Sequence, residues 1–101
     1  MVQRLTKPTA RVLRLLLDAT DGRAYGLELM NDAGVGAGTL YPMLNRLETI
    51  GWLNGAWEDV DPVEVGRPPR RYYTLTSQGR LEATATLDRR NELGNEGLAQ
   101  A

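Results

Sequence analysis

The sequence predicts a mainly α-helical fold with a small antiparallel β-hairpin, and three observations support it. Apolar residues recur at helical spacing in three successive segments of the N-terminal half, each closed by a glycine. Two short runs, WLNGAWE at 52–58 and RRYYTLT at 70–76, are rich in aromatic and β-branched residues and read as strands. A polar helical stretch closes the chain.

TKPTARVLRLLLDATDG, residues 6–22, reads as the first helix. Thr6 is placed to cap it, and Pro8 suits a first turn where its missing N–H has no intrahelical partner anyway. Val12, Leu15, Leu16 and Ala19 form its apolar stripe, widened by Leu13 and Leu17, and Gly22 ends it. AYGLELMNDAG at 24–34 reads as a short second helix stopped by Gly34. In VGAGTLYPMLNRLETIGWL, Gly36 and Gly38 make a turn, Thr39 serves as N-cap and Pro42 falls in the first turn. Leu40, Met43, Leu44, Leu47 and Ile50 then follow one helical face across residues 38–50. Gly51 fits the left-handed position after the helix, with Trp52 reaching back onto Leu47. DVDPVEVGRPP at 59–69 is long for a hairpin loop and rich in proline, so it reads as an extended, mobile wing. Thr76 caps a last helix over Ser77–Leu93, ended by Gly94, with a frayed tail after it. Two short helices joined by a glycine turn and followed by a hairpin make a winged helix-turn-helix. The expected division is a DNA-binding domain at 1–76, a C-terminal dimerisation helix at 77–94 and a tail at 95–101.

Composition narrows the chemistry. The chain has 101 residues, 42% apolar and 25% charged, which suits one soluble domain. It has no cysteine and no histidine, which removes disulfides, thiolate metal sites, the commonest general base and the usual zinc ligand. GVGAG at 34–38 lacks the strand before it and the lysine after it that a nucleotide-binding loop needs. No catalytic residue, metal site or cofactor is expected. The longest apolar stretch, Val12–Leu17, is interrupted by Arg14 and is too short to span a bilayer. With no signal peptide in view, an intracellular protein is expected.

The net charge of −1 hides a segregated pattern. Residues 47–66 hold five acids and no base, and residues 67–80 hold four bases and no acid. Opposite the apolar stripe, the third helix carries Thr39, Tyr41, Pro42, Asn45, Arg46 and Thr49. Arg and Asn match guanine and adenine edges in a major groove, and hydroxyls near a helix N-terminus suit phosphate oxygens. The alternative is an ordinary solvated face. Arg67, Arg70 and Arg71 are placed to grip a flanking phosphate backbone, with Pro68 and Pro69 stiffening the loop; the alternative is an edge guarded against aggregation. Leu13 and Leu17 of the first helix, with Leu81, Ala85 and Leu87 of the last, are candidates for a homodimer interface, or else close the monomer's own core.

YGLEL at 25–29, GTLYPMLNRLETIGWL at 38–53 and GRPPRRYYTLTSQG at 66–79 together resemble the PadR family of bacterial transcriptional regulators. The resemblance implies a dimeric winged helix-turn-helix repressor on double-stranded DNA, cytoplasmic and of bacterial or phage origin. The helix with Thr39, Tyr41, Pro42 and Arg46 would be the recognition helix. Tyr25 would touch the DNA backbone, and GRPPRRYY would form the wing's return strand. A single short C-terminal helix resembles the compact branch, in which that helix and the first build the dimer. The family also implies a small planar effector in an aromatic-lined cavity at the dimer interface, although Trp52 and Trp57 read here as core residues of the hairpin. Two features depart from the pattern. Arg46 is the only base on the recognition helix, and the outgoing wing limb carries Glu58, Asp59, Asp61 and Glu64. Those acids must face away from DNA, pair with Arg67 and Arg70, or weaken binding. A winged helix that binds protein rather than DNA is the competing reading.

Overall fold

The computed structural model describes residues 6–19 and 21–100, with side chains through Arg90. Helix α1 spans Lys7–Asp18, and its Thr6 cap accepts a hydrogen bond from the Thr9 amide at 3.3 Å. A two-residue strand β1, Ala24–Tyr25, leads into α2, Gly26–Ala33, which ends at left-handed Gly34. Helix α3 runs Ala37–Thr49, β2 runs Leu53–Trp57, and β3 runs Arg71–Leu75. Between the strands sits a one-turn helix α4, Pro62–Val65, and the chain continues into α5, Ser77–Gln100. The sheet order is β1-β3-β2, all antiparallel, with Tyr25 opposite Tyr72 and Trp57 opposite Arg71.

The core lies between α1, α2, α3 and the sheet, with α5 laid against α1 and β3. Val12, Leu13, Leu40 and Leu44 are its largest fully enclosed side chains. The α3 stripe buries Leu40, Met43, Leu44 and Leu47 as expected. The helix closes with the Gly51 amide donating to the Glu48 carbonyl and the Trp52 amide to the Leu47 carbonyl, the pair of hydrogen bonds that a left-handed glycine permits.

Several expectations change. The segment at 24–25 is a strand, because β3 has a free edge once β2 occupies the other, and two residues are too few to show alternation. Helix α3 begins at Ala37 with Gly36 as its cap, so Thr39 lies inside the first turn and Pro42 falls in the second. Pro42 there withholds the amide that would bond Gly38; burial of Leu40 and Leu44 around it holds the helix together. Ile50 is half exposed, since the left-handed turn starts beside it. Trp57 is 62% exposed and Trp52 packs at the core's margin, so only Trp52 serves the hairpin core. The wing is a capped turn rather than an extended loop. Asp61 accepts from the Val63 amide at 2.9 Å, Pro62 starts the turn and left-handed Gly66 ends it. Helix α5 passes through Gly94 and Gly97 to Gln100, so the expected tail is helical through residue 100; each interior glycine costs a helix only about 1 kcal/mol against alanine.

Of the interface candidates, Leu13 (0% exposed) and Leu87 (6%) are enclosed in the protomer's own core and have no surface left for a partner. Leu17 and Ala85 are half-buried, and Leu81 is 74% exposed. Among the described residues, no helix is long and apolar enough to cross a membrane.

Thr76 ties three elements together. Its hydroxyl accepts from the Gly79 amide at 2.9 Å, capping α5, and donates to the Gly51 carbonyl at 2.7 Å, after α3. Its amide donates to the Trp52 carbonyl at 2.9 Å. That carbonyl stands where a Cβ on Gly79 would lie. Gly79→Ala is therefore expected to destabilise the fold by about 1–3 kcal/mol in a denaturant titration, overriding alanine's better helix propensity.

Candidate nucleic-acid interface

Burial of one α3 face leaves Thr39, Tyr41, Pro42, Asn45, Arg46 and Thr49 on the outside. Arg46 is exposed and makes no ion pair among the described residues. The Thr49 hydroxyl donates to the Asn45 carbonyl at 2.9 Å, so it is turned onto its own helix. The Tyr41 hydroxyl occupies the space that a side chain on Gly26 would fill. Gly26 thus lets α3 approach the start of α2, a role sequence reasoning missed.

The pleat of β3 divides the wing's arginines between two faces. Arg71 and Tyr73 lie on the α3 side, where Tyr41, Pro42, Asn45 and Glu48 join them in one open groove. The Arg71 guanidinium is 3.5 Å from Glu48, 5.5 Å from the Trp57 ring centroid and 5.7 Å from that of Tyr73. It crosses the strand at Gly55, where a Cβ would collide with it. Burial, ahead of the opposing effect of Arg71, pushes the Tyr73 phenol up.

Arg67 and Arg70 belong to the other face. Glu58, with 7% of its side chain exposed, sits between them. One carboxylate oxygen accepts from Arg67 Nη1 at 2.6 Å and from the Arg70 amide at 2.8 Å. The other accepts from Arg67 Nη2 at 3.2 Å and Arg70 Nη2 at 3.3 Å. Arg70 also stacks on Tyr25, 4.2 Å from its centroid. Tyr25 meets Tyr72 at 6.1 Å, and Arg23 covers Tyr72 at 4.2 Å. Arg23 carried no signal in the sequence, because its partner is reached only through the β1–β3 pairing.

Of the expected contacts, then, Tyr41, Pro42, Asn45 and Arg71 share a groove. Arg67, Arg70 and Tyr25 gather separately across the sheet. All three wing arginines face a carboxylate. The question posed by the acidic limb resolves residue by residue: Glu58 pairs with arginines, Asp61 caps α4, and Asp59 and Glu64 are exposed.

The model of the transcriptional regulator PadR-like family matches residues 12–85. No curated protein matches the sequence. Among solved structures, the chain is similar to a PadR-like transcription factor from Bacteroides fragilis at 27% identity and a TM-score of 0.66, covering 94% of this chain and 92% of that one. A Streptococcus transcriptional regulator shares the fold at 22% identity and a TM-score of 0.72, covering 97% of both chains. NadR in complex with 4-hydroxyphenylacetate is similar at 26% identity and a TM-score of 0.63, over 92% of this chain and 62% of that one.

The Arg67 hydrogen bonds, aided by the Arg70 amide and against the cost of burial, draw the Glu58 carboxyl from 4.5 down to about 2. A carboxylate whose folded pKa is depressed stabilises the fold above its unfolded pKa and stops doing so as pH falls through the folded one. The stability gap between wild type and Glu58→Gln is thus expected to hold above pH 4.5 and to close towards pH 2, read by denaturant titrations across that range.

Proposed function

Because the chain belongs to the PadR-like family of transcriptional regulators, we propose that it is a repressor that binds a pseudo-palindromic operator as a homodimer. PadR-like regulators bind DNA and are not enzymes. In this reading α3, the helix expected at 38–50, enters the major groove and the wing at 58–71 lies on the flanking backbone. The observation that carries it is the exposed Arg46 beside Asn45, without an ion pair among the described residues, on a helix whose opposite face is locked into the core. Arg46 and Asn45 are the base readers; Thr39, Tyr41, Pro42 and Tyr25 support contacts to backbone and sugar. Arg71 borders the groove next to Asn45, and Arg67 and Arg70 serve the wing.

Arg46 is the only base on the recognition helix and the three wing arginines are each paired with an acid, so useful affinity depends on two linked copies. Exposed Leu81, with half-buried Leu17 and Ala85, supplies the surface that supports a dimer. Recognition helices in successive major grooves would stand about 34–36 Å apart. A small planar effector at that interface is supported by the similarity to NadR, which was solved with 4-hydroxyphenylacetate. The cytoplasm is the compartment this function requires.

Selection of bound duplexes from a random pool tests the reading, with a two-fold symmetric consensus as the expected result. Recovery of no duplex, alongside a stable protein complex, would favour a protein-binding module instead; the pairing of every wing arginine with an acid is the observation on that side. With about six phosphates contacted per dimer, affinity is expected to fall ~10³-fold between about 50 and 200 mM salt. Arg46→Ala is expected to cost roughly 1–3 kcal/mol on the selected operator and to relax preference at one base position.

A further inference from the structure

We propose that Glu58 is a positioning residue for operator binding: lying beneath Arg67 and Arg70, it fixes both guanidiniums at the wing root, so that sequence-specific binding depends on an acid. The inference rests on the proposed function, in which the wing meets the DNA backbone. Glu58 is nearly enclosed, while the Arg67 and Arg70 side chains above it are 38% and 46% exposed. The carboxylate is itself held, since the Glu58 amide donates to the Arg70 carbonyl at 2.8 Å, one step beyond the Trp57–Arg71 pair.

Each arginine has a second restraint. The Arg67 amide donates to the Pro62 carbonyl at 3.2 Å, and its Nη1 also donates to the Pro68 carbonyl at 3.1 Å. The Arg70 guanidinium lies on the Tyr25 ring. A guanidinium has five N–H donors, and Glu58 engages only some of each. Among the described residues, Arg67 Nε–H and Arg70 Nη1 make no hydrogen bond. Two long side chains, ordinarily costly to immobilise, are thereby ordered before any phosphate arrives.

Simple charge counting makes the opposite forecast. Removing an acid near phosphates should tighten binding to any duplex. Asp59 separates the two ideas, because it is exposed, makes no ion pair among the described residues, and offers the same charge change without the clamp.

The test compares wild type, Glu58→Gln, Asp59→Asn and Arg67→Lys by fluorescence anisotropy, on a duplex from the selection and on a scrambled duplex of equal length. Asp59→Asn is expected to tighten both duplexes alike. Glu58→Gln is expected to weaken the selected duplex about tenfold, through lost preorganisation, while the scrambled duplex holds or tightens. Arg67→Lys keeps the charge and loses the bidentate pair, so it should lower selectivity in the same direction; it also carries the test should Glu58→Gln fail to fold in a thermal melt. Glu58→Gln behaving as Asp59→Asn, or weakening both duplexes in equal proportion, overturns the role of Glu58, as does an Arg67→Lys protein indistinguishable from wild type. Wild type failing to prefer the selected duplex overturns the proposed function and the inference with it, and the wild-type measurement tells the two failures apart.

Discussion

The close approach of α5 to the Trp52 carbonyl is the constraint on which the rest of the structure turns. Trp52 follows the left-handed Gly51 that ends α3, and it precedes β2. Its carbonyl accepts from Thr76, at the end of β3, and lies against Gly79, in the first turn of α5. One backbone group therefore fixes the relative positions of α3, both wing strands and the final helix. Only glycine at position 79 permits the contact. The angle between α3 and the hairpin follows from this junction, and with it the groove that holds Asn45 and Arg71.

A second arrangement organises the charge. The chain places acids beneath bases instead of distributing them evenly. Glu58 lies under Arg67 and Arg70, and Glu48 meets Arg71 from α3. Each pairing trades free charge for fixed direction. The outcome differs between the two faces: one carboxylate against two guanidiniums leaves an excess of one positive charge, whereas Glu48 and Arg71 cancel. Gly55 and Gly26 serve the same arrangement, since each clears room for a side chain from another element, Arg71 and Tyr41.

Local chemistry made much of this legible. The Thr6 and Thr76 caps, the α3 stripe and the Gly34 and Gly51 endings are encoded within a few residues of where they act. The family pattern likewise marked the third helix and the wing as the candidate DNA-binding elements. What could not be read from the chain depends on pairing between distant segments. Strand β1 exists because β3 offers an edge, and Arg23 gains Tyr72 only through that pairing. Glu58 and Arg67 are nine positions apart and meet because α4 folds the loop back. The turn itself was encoded in Asp61, Pro62 and Gly66, but the prolines read equally well as an extended segment. Leu13 and Leu87 looked like surface for a partner because a broad apolar stripe does not reveal which side the protomer itself covers.

Net charge is a poor guide to how such a protein meets a polyanion. At physiological ionic strength, exposed charges are screened over about 8 Å, so acids elsewhere on the surface contribute little at a contact made by α3. The relevant charges are those within one screening length of the phosphates. In the proposed complex these include Arg46, which makes no ion pair among the described residues, and the wing arginines, each held in place by a carboxylate. A surface built this way attracts any duplex weakly. It gains more from a duplex whose phosphates fall where the arginines already point. Low overall charge thus suits a regulator that must reject the excess of non-specific sites, because it lowers the sequence-independent part of binding more than the directed part.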